Sequence, residues 1–257
     1  EQFSESLKVL NRALGLLKQT PRSHPLRVEA EKLMRVTKGR FLVARYRGGE
    51  IQNFTDPNAL RPLSEESREF KVLQVFGKVL TRKVWEPRDE IRVGEVLGLG
   101  RRVTTLPKGG IELVSSSVLP ITLRTVQASS FDLIRPNQFA LHSGSFVLHS
   151  TVKNSTIIIE SPMVEVKLSC KDPFAFMAGI TTNGGVKIIG LLGETSLRSD
   201  GGKLVILPGE LTFALSDGFS RKMNVELSTL LVTSNLLTDF EQPPVFLKKL
   251  RQQAMMQ

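Results

Sequence analysis

Reactive side chains are few in this 257-residue chain, and their spacing limits what they can do. There is one cysteine, Cys170, and there are three histidines, His24, His142 and His149. A lone cysteine excludes an intramolecular disulfide and a Cys-based zinc site. Cys170 alternates with apolar neighbours in "KLSCKDPF" with no histidine near it in sequence, so it reads as a small buried hydrophobe rather than a nucleophile. His142 and His149 alternate with apolar residues in "ALHSGSFVLHST", which reads as the polar face of a strand. Two residues seven apart on a strand point to opposite faces, so they do not share a metal. His24 lies in a proline turn. The acidic pairs, Glu65 with Glu66 and Asp89 with Glu90, sit in polar connectors and read as solvated charge. "HSGSF" at 142–146 lacks the Gly-x-Ser-x-Gly frame and strand-to-helix turn of a serine hydrolase elbow.

Glycine-rich stretches raise the other chemical option, a phosphate cradle. That cradle needs a helix after the glycines, because the helix N-terminus supplies the N–H groups that hold the anion. Strand-like residues follow Gly77 and Lys78, no helical pattern follows Gly94, Gly98 and Gly100, and none follows "GGVKIIGLLGETSL". In the last stretch Gly184 and Gly185 read as a hairpin turn, Gly190 and Gly193 as a bulge and a turn, and Val186, Ile188 and Leu191 as core-facing. No catalytic, cofactor-binding or metal-binding residue is therefore assigned, and no cofactor is expected.

The formal net charge is +10, of which residues 1–62 carry +6. One Trp, one Tyr and no basic-aromatic cluster beyond "RFLVARYRGG" argue against nucleic acid and for a solvated basic face, with an anionic envelope surface as a further target. No apolar run approaches the roughly 20 residues that span a bilayer. The chain starts at Glu1 rather than Met, as signal removal would leave it, so a periplasmic or extracellular location is expected.

Residues 1–40 read as a helical hairpin. Phe3, Leu7, Leu10, Leu14 and Leu17 form one stripe; "TPRSHP" breaks the helix, with Ser23 as a cap; a second helix follows with Leu26, Ala30 and Leu33 on one face, ending at Gly39. Residues 41–66 are a turn-rich connector with a possible strand, "RFLVARYR", and a boundary near residue 65. Residues 67–240 alternate short β-branched runs with Gly, Pro, Asn and Ser, the pattern of a mainly β sandwich or solenoid with antiparallel strands throughout. Residues 241–257 read as a helical tail carrying Phe246, Leu247 and Leu250. Leu7, Leu10, Leu14, Leu17, Phe246 and Leu250 are the expected contacts with other chains.

The order of these pieces resembles the FecR domain of bacterial iron-citrate sensors and many exported proteins. The likeness rests on Gly77 and Val79, on Val93, Gly94 and Leu97, on Gly100, Val103 and Thr105, and on Ile111 and Leu113. Further on it rests on "GGVKIIGLLGETSL", where Leu192 stands at a position that is Glu in many members, and on the Pro208, Gly209, Glu210 turn. It spans about residues 70–215. The resemblance implies an all-β domain of facing twisted sheets, without cofactor or catalysis, working through protein contacts in the periplasm or outside the cell. Sigma-regulating members carry a cytoplasmic helical segment and a membrane span ahead of the domain. Two functions follow as expectations: an exported, non-enzymatic contact module, or a self-assembling subunit of a filament or sheath joined through strand edges and the helix stripe. A carbohydrate-active enzyme stands third, and would need two carboxylates about 5 to 10 Å apart in an aromatic-lined cleft.

Overall fold

The structure, a computed structural model, describes residues 2–17, 24–31, 33–34, 37, 68–83, 88–116 and 120–257. The chain divides into two units, Glu1–Ser64 and Glu65–Gln257. In the first, α1 spans Gln2–Leu16. Leu10 and Leu14 are half-buried on it and Leu17 just beyond it, while Val9 and Leu16 are exposed. The backbone is helical again over 25–31 and 33–34. Its buried side chains are Ala30 and Met34, whereas Leu26 and Leu33 are exposed. That corrects the expected Leu26, Ala30, Leu33 face: Ala30, Met34 and half-buried Thr37 follow the i, i+4, i+7 rule, which turns the stripe toward Met34. Ser23, Gly39, the "RFLVARYR" strand and residues 41–66 lie outside the described residues.

The second unit is mainly β, in two sheets. A ten-stranded sheet runs, edge to edge, β18 (Gly218–Phe219), β17 (Glu210–Leu215), β14 (Val186–Leu192), β13 (Phe174–Ile180), β10 (Ser145–Ser150), β7 (Ile121–Val126), β6 (Gly110–Ser115), β1 (Arg68–Phe76) and β4 (Val96–Gly98), with β19 (Met223–Asn224) beside β17. A nine-stranded sheet runs β16 (Gly202–Ile206), β15 (Thr195–Ser199), β12 (Glu165–Cys170), β11 (Ser155–Glu160), β9 (Gln138–Ser143), β8 (Ser130–Arg135), β5 (Arg102–Thr105), β2 (Val79–Arg82) and β3 (Asp89–Glu90). The chain passes back and forth between them, so both sheets grow in the same order. One apolar cluster draws on both, from Phe70, Ile111, Phe146 and Ile188 in the first to Val103, Phe131, Phe139 and Leu168 in the second.

Three short helices follow: α2 (Leu227–Thr233), α3 (Asn235–Thr238) and α4 (Leu247–Met256). Leu227, Leu236, Leu237, Phe240, Phe246 and Leu250 make a second cluster with Val126, Val147, Met177, Ile189 and Leu191, on the other side of the ten-stranded sheet. That sheet is thus covered on both faces, which is why β13, "FAFMAGI", and β14, "VKIIGLL", are nearly continuous apolar runs. The nine-stranded sheet keeps one face open, and β12, "EVKLSC", alternates exposed and buried residues along its whole length.

Two expectations change here. The strands are not antiparallel throughout, because β9 and β11 pair in parallel. After β9 the chain bends at Gly144, runs through the other sheet as β10 and returns, so β10 is the crossover that a parallel pair requires. For the same reason His142 and His149 do not share a strand: the first is on β9 and the second on β10, in different sheets. In β14, Val186 and Ile188 face the core between the sheets, while Ile189 and Leu191 face the helices. A bulge at Leu191 shifts the register, since Gly190 pairs with Phe176 but Leu192 with Ala175. Gly190 is required there because a Cβ would lie 2.5 Å from the Leu207 carbonyl oxygen.

Candidate functional site

Charged side chains of the second unit gather on the outer faces of the two sheets, and the faces treat them in opposite ways. On the ten-stranded sheet Glu112 of β6 lies directly opposite Arg124 of β7, and both are buried. The guanidinium donates twice to the carboxylate, Nε to Oε1 at 2.9 Å and Nη2 to Oε2 at 3.1 Å. Nη2 also donates to the Gln242 carbonyl at 2.8 Å, and the Phe240 ring centre lies 4.7 Å from Cζ. Gln74 of β1 donates to Glu112 and accepts from the Gln242 amide at 3.0 Å. This network latches the segment after α3 onto the sheet. Arg124 Nη1 has no hydrogen-bond partner among the described residues.

Farther along the same face, the His149 ring lies 5.0 Å from the Phe246 ring, centre to centre. Burial, and secondarily the charge of Lys249, push the imidazole pKa down to about 4. His149 is therefore a neutral packing group beneath the tail at neutral pH. Cys170 is buried with Sγ 3.6 Å from the Thr195 hydroxyl; its burial raises the thiol to about 11, against a smaller lowering by that contact. Such a thiol is unreactive at neutral pH.

The nine-stranded sheet instead exposes its polar face. Arg102 of β5 pairs across the ladder with Asp132 of β8 and donates Nε to Oδ1 at 2.6 Å and Nη2 to Oδ2 at 2.9 Å. His142 Nε2 lies 2.9 Å from both Arg102 Nη2 and Asp132 Oδ2, so by tautomer it serves one of them at a time. Burial alone would raise the Asp132 carboxyl, but hydrogen bonds from Arg102 and His142, and then their charges, bring it down to about 2. So weak a base holds charge rather than moving protons at neutral pH. Outward along β12, β15 and β16 the exposed residues are Glu165, Lys167, Ser169, Ser196, Arg198, Lys203 and Val205.

Among the residues expected to meet other chains, Phe246 and Leu250 are instead 3% and 0% exposed, buried against their own sheet. Their amphipathic spacing was legible, but the face that completes it belongs to this chain, so they are corrected to core positions. Leu10, Leu14 and Leu17 are half-buried in the first unit; Leu7 is helical and its side chain lies outside the described residues. Asp89 and Glu90 form the exposed two-residue strand β3. Sequence reasoning missed Glu112, Arg124, Arg102 and Asp132. The available signal was a lone charge within each of the apolar strands "GIELVS" and "ITLRTV", opposite in sign on consecutive strands. Among the described residues no group of three His, Cys, Asp or Glu is placed to hold a metal, and no helix is long and apolar enough to cross a membrane.

No protein-family model matches the chain, and no curated protein matches it. Among solved structures, two crystal structures of a proposed anti-sigma factor from Parabacteroides distasonis show a weak likeness. One is 11% identical with a TM-score of 0.37, the other 12% identical with a TM-score of 0.30. Each alignment covers 51% of this chain, and it spans less than two thirds of the other, 65% and 64%.

Proposed function

We propose that residues 65–257 form a FecR-type twisted sandwich, led by a helical hairpin in the first unit, and that the protein is a non-enzymatic, exported module acting through protein contacts in the bacterial cell envelope. The observation that carries this reading is the asymmetry between the two outer faces. One is sealed by the chain's own helices, while the other presents a broad, charged, unsealed sheet surface. Support for the family comes from where its signature positions fall. Val79, Leu97, Val103, Ile111 and Leu113 all lie in the core between the sheets. Gly77 adopts φ +60°, and a Cβ there would lie 2.3 Å from the Lys108 carbonyl oxygen, so the tight turn before β2 needs glycine. Gly94, Gly100 and Gly209 also have positive φ.

Assembly by strand addition has little edge to work with, since β3 and β18 have two residues each and β4 three. The contact reading is tested by affinity capture from envelope extract with the full chain and with a variant carrying Lys167→Glu and Arg198→Glu. A protein retained by the parent and lost from the variant is expected. A fractionation that leaves the protein out of the envelope, or a capture profile unchanged by the reversals, would overturn it.

A further inference from the structure

The register of the nine-stranded sheet sorts the charges of its open face into two parallel rows. Lys167 of β12 lies directly opposite Arg198 of β15, and Arg198 directly opposite Lys203 of β16, giving a row of three cations across three strands. All three are exposed, and none makes an ion pair or a side-chain hydrogen bond among the described residues. One step along the same face, Glu165 of β12 lies directly opposite Glu160 of β11. Glu160 accepts from Gln138 Nε2 at 2.5 Å, whereas Glu165 has no such bond. Directly opposed side chains sit about 5 Å apart, and like charges placed so are destabilising. Each row therefore costs stability in the isolated chain, and the two rows are only about 7 Å apart, two residues along a strand.

We propose that two copies of this chain dock through the open faces of their nine-stranded sheets, the basic row of each lying over the acidic row of the other. This rests on the contact reading above and names the partner. A two-fold axis lying in the face, parallel to the rows and midway between them, exchanges the rows. Lys167 of one copy then comes over Glu165 of the other, and the same contact repeats by symmetry. An axis perpendicular to the rows would set cation on cation, so charge selects one arrangement. An extended acidic segment laid along Lys167, Arg198 and Lys203 would instead run beside Glu165, and a second copy is the occupant that satisfies both rows. The four strands carrying the rows span roughly 15 Å, so the contact is smaller than the ~800 Å² per partner of a stable dimer and is weak and salt-sensitive.

Sedimentation velocity of the full chain at low ionic strength, from roughly 10 µM to 1 mM, tests it. A reversible dimer that dissociates as salt is raised is expected. Lys167→Glu, Arg198→Glu and Lys203→Glu together should weaken it on the order of a hundredfold, and so should Glu160→Lys with Glu165→Lys. Mixing these two variants should restore a dimer at concentrations where neither associates alone. The single variants Arg198→Glu and Glu165→Lys, checked by circular dichroism, replace any combination that does not fold. A parent monomeric throughout, a dimer indifferent to both reversals, or a mixture that fails to associate would each overturn self-docking. The affinity capture would still judge the contact reading by itself, because it detects a different protein.

Discussion

At the scale of single residues, the Glu112–Arg124 pair and His149 carry the most consequence, because both are buried polar groups whose environment is fixed. Removing one partner of a buried ion pair leaves the other uncompensated, which costs about 3 to 5 kcal/mol. Arg124→Met alone should lower unfolding stability by about that amount in denaturant titrations. Adding Glu112→Leu should recover much of it, because the stranded carboxylate is gone. His149 titrates near 6.5 when unfolded but near 4 when folded. Between those values the unfolded chain binds more protons, so stability is full above about pH 6.5 and falls as pH drops toward 4, by on the order of 3 kcal/mol. Asp132 adds a second loss at lower pH: its folded pKa of about 2 lies below the ordinary 3.8, so its contribution is present above 3.8 and disappears as pH falls toward 2. Denaturation midpoints followed from pH 7 to 4 should fall for the parent and flatten in His149→Gln.

At the scale of elements, the tail and strand β14 show how one sheet comes to be buried on both faces. Phe246→Ala or Leu250→Ala removes a side chain seated against the ten-stranded sheet and should cost about 2 to 5 kcal/mol. Hydrogen exchange should then rise over residues 244–257 while β10 and β13 stay protected, since the core between the sheets is separate from the tail cluster. Gly190→Val drives a side chain onto the Leu207 backbone and should cost about 1 to 3 kcal/mol, read as a drop in melting temperature. Most of these elements were legible beforehand. Alternation marked β12 and β15, turn residues marked the ends of β13 and β14, and the spacing of Phe246 and Leu250 marked a helix with one apolar face. What "VKIIGLL" could not reveal is that its two apolar faces meet different partners, because burial on both sides erases the period that assigns a face. "ALHSGSFVLHST" misled for a related reason: a bend at Gly144 that sends the chain into the other sheet looks, locally, like a turn within one polar strand face. The Arg102, Asp132, His142 cluster lay beyond reach, since its members come from three strands and only the register joins them.

At the scale of the whole molecule, the second unit is asymmetric. Its ten-stranded sheet is closed by the chain's own helices, and its nine-stranded sheet carries ordered rows of charge facing outward. If that open face is where the protein meets its partners, contacts made in cells should map to it and should depend on its charge. Site-specific photo-crosslinking in cells measures this directly. A crosslinker at Ser196, between the rows and the sheet's outer edge, is compared with one at Met255 on the exposed side of α4. Discrete protein adducts are predicted from Ser196 that disappear when Lys167 and Arg198 are reversed to Glu, with few or none from Met255. Adducts confined to Met255, or Ser196 adducts that persist unchanged through the charge reversal, would contradict the account.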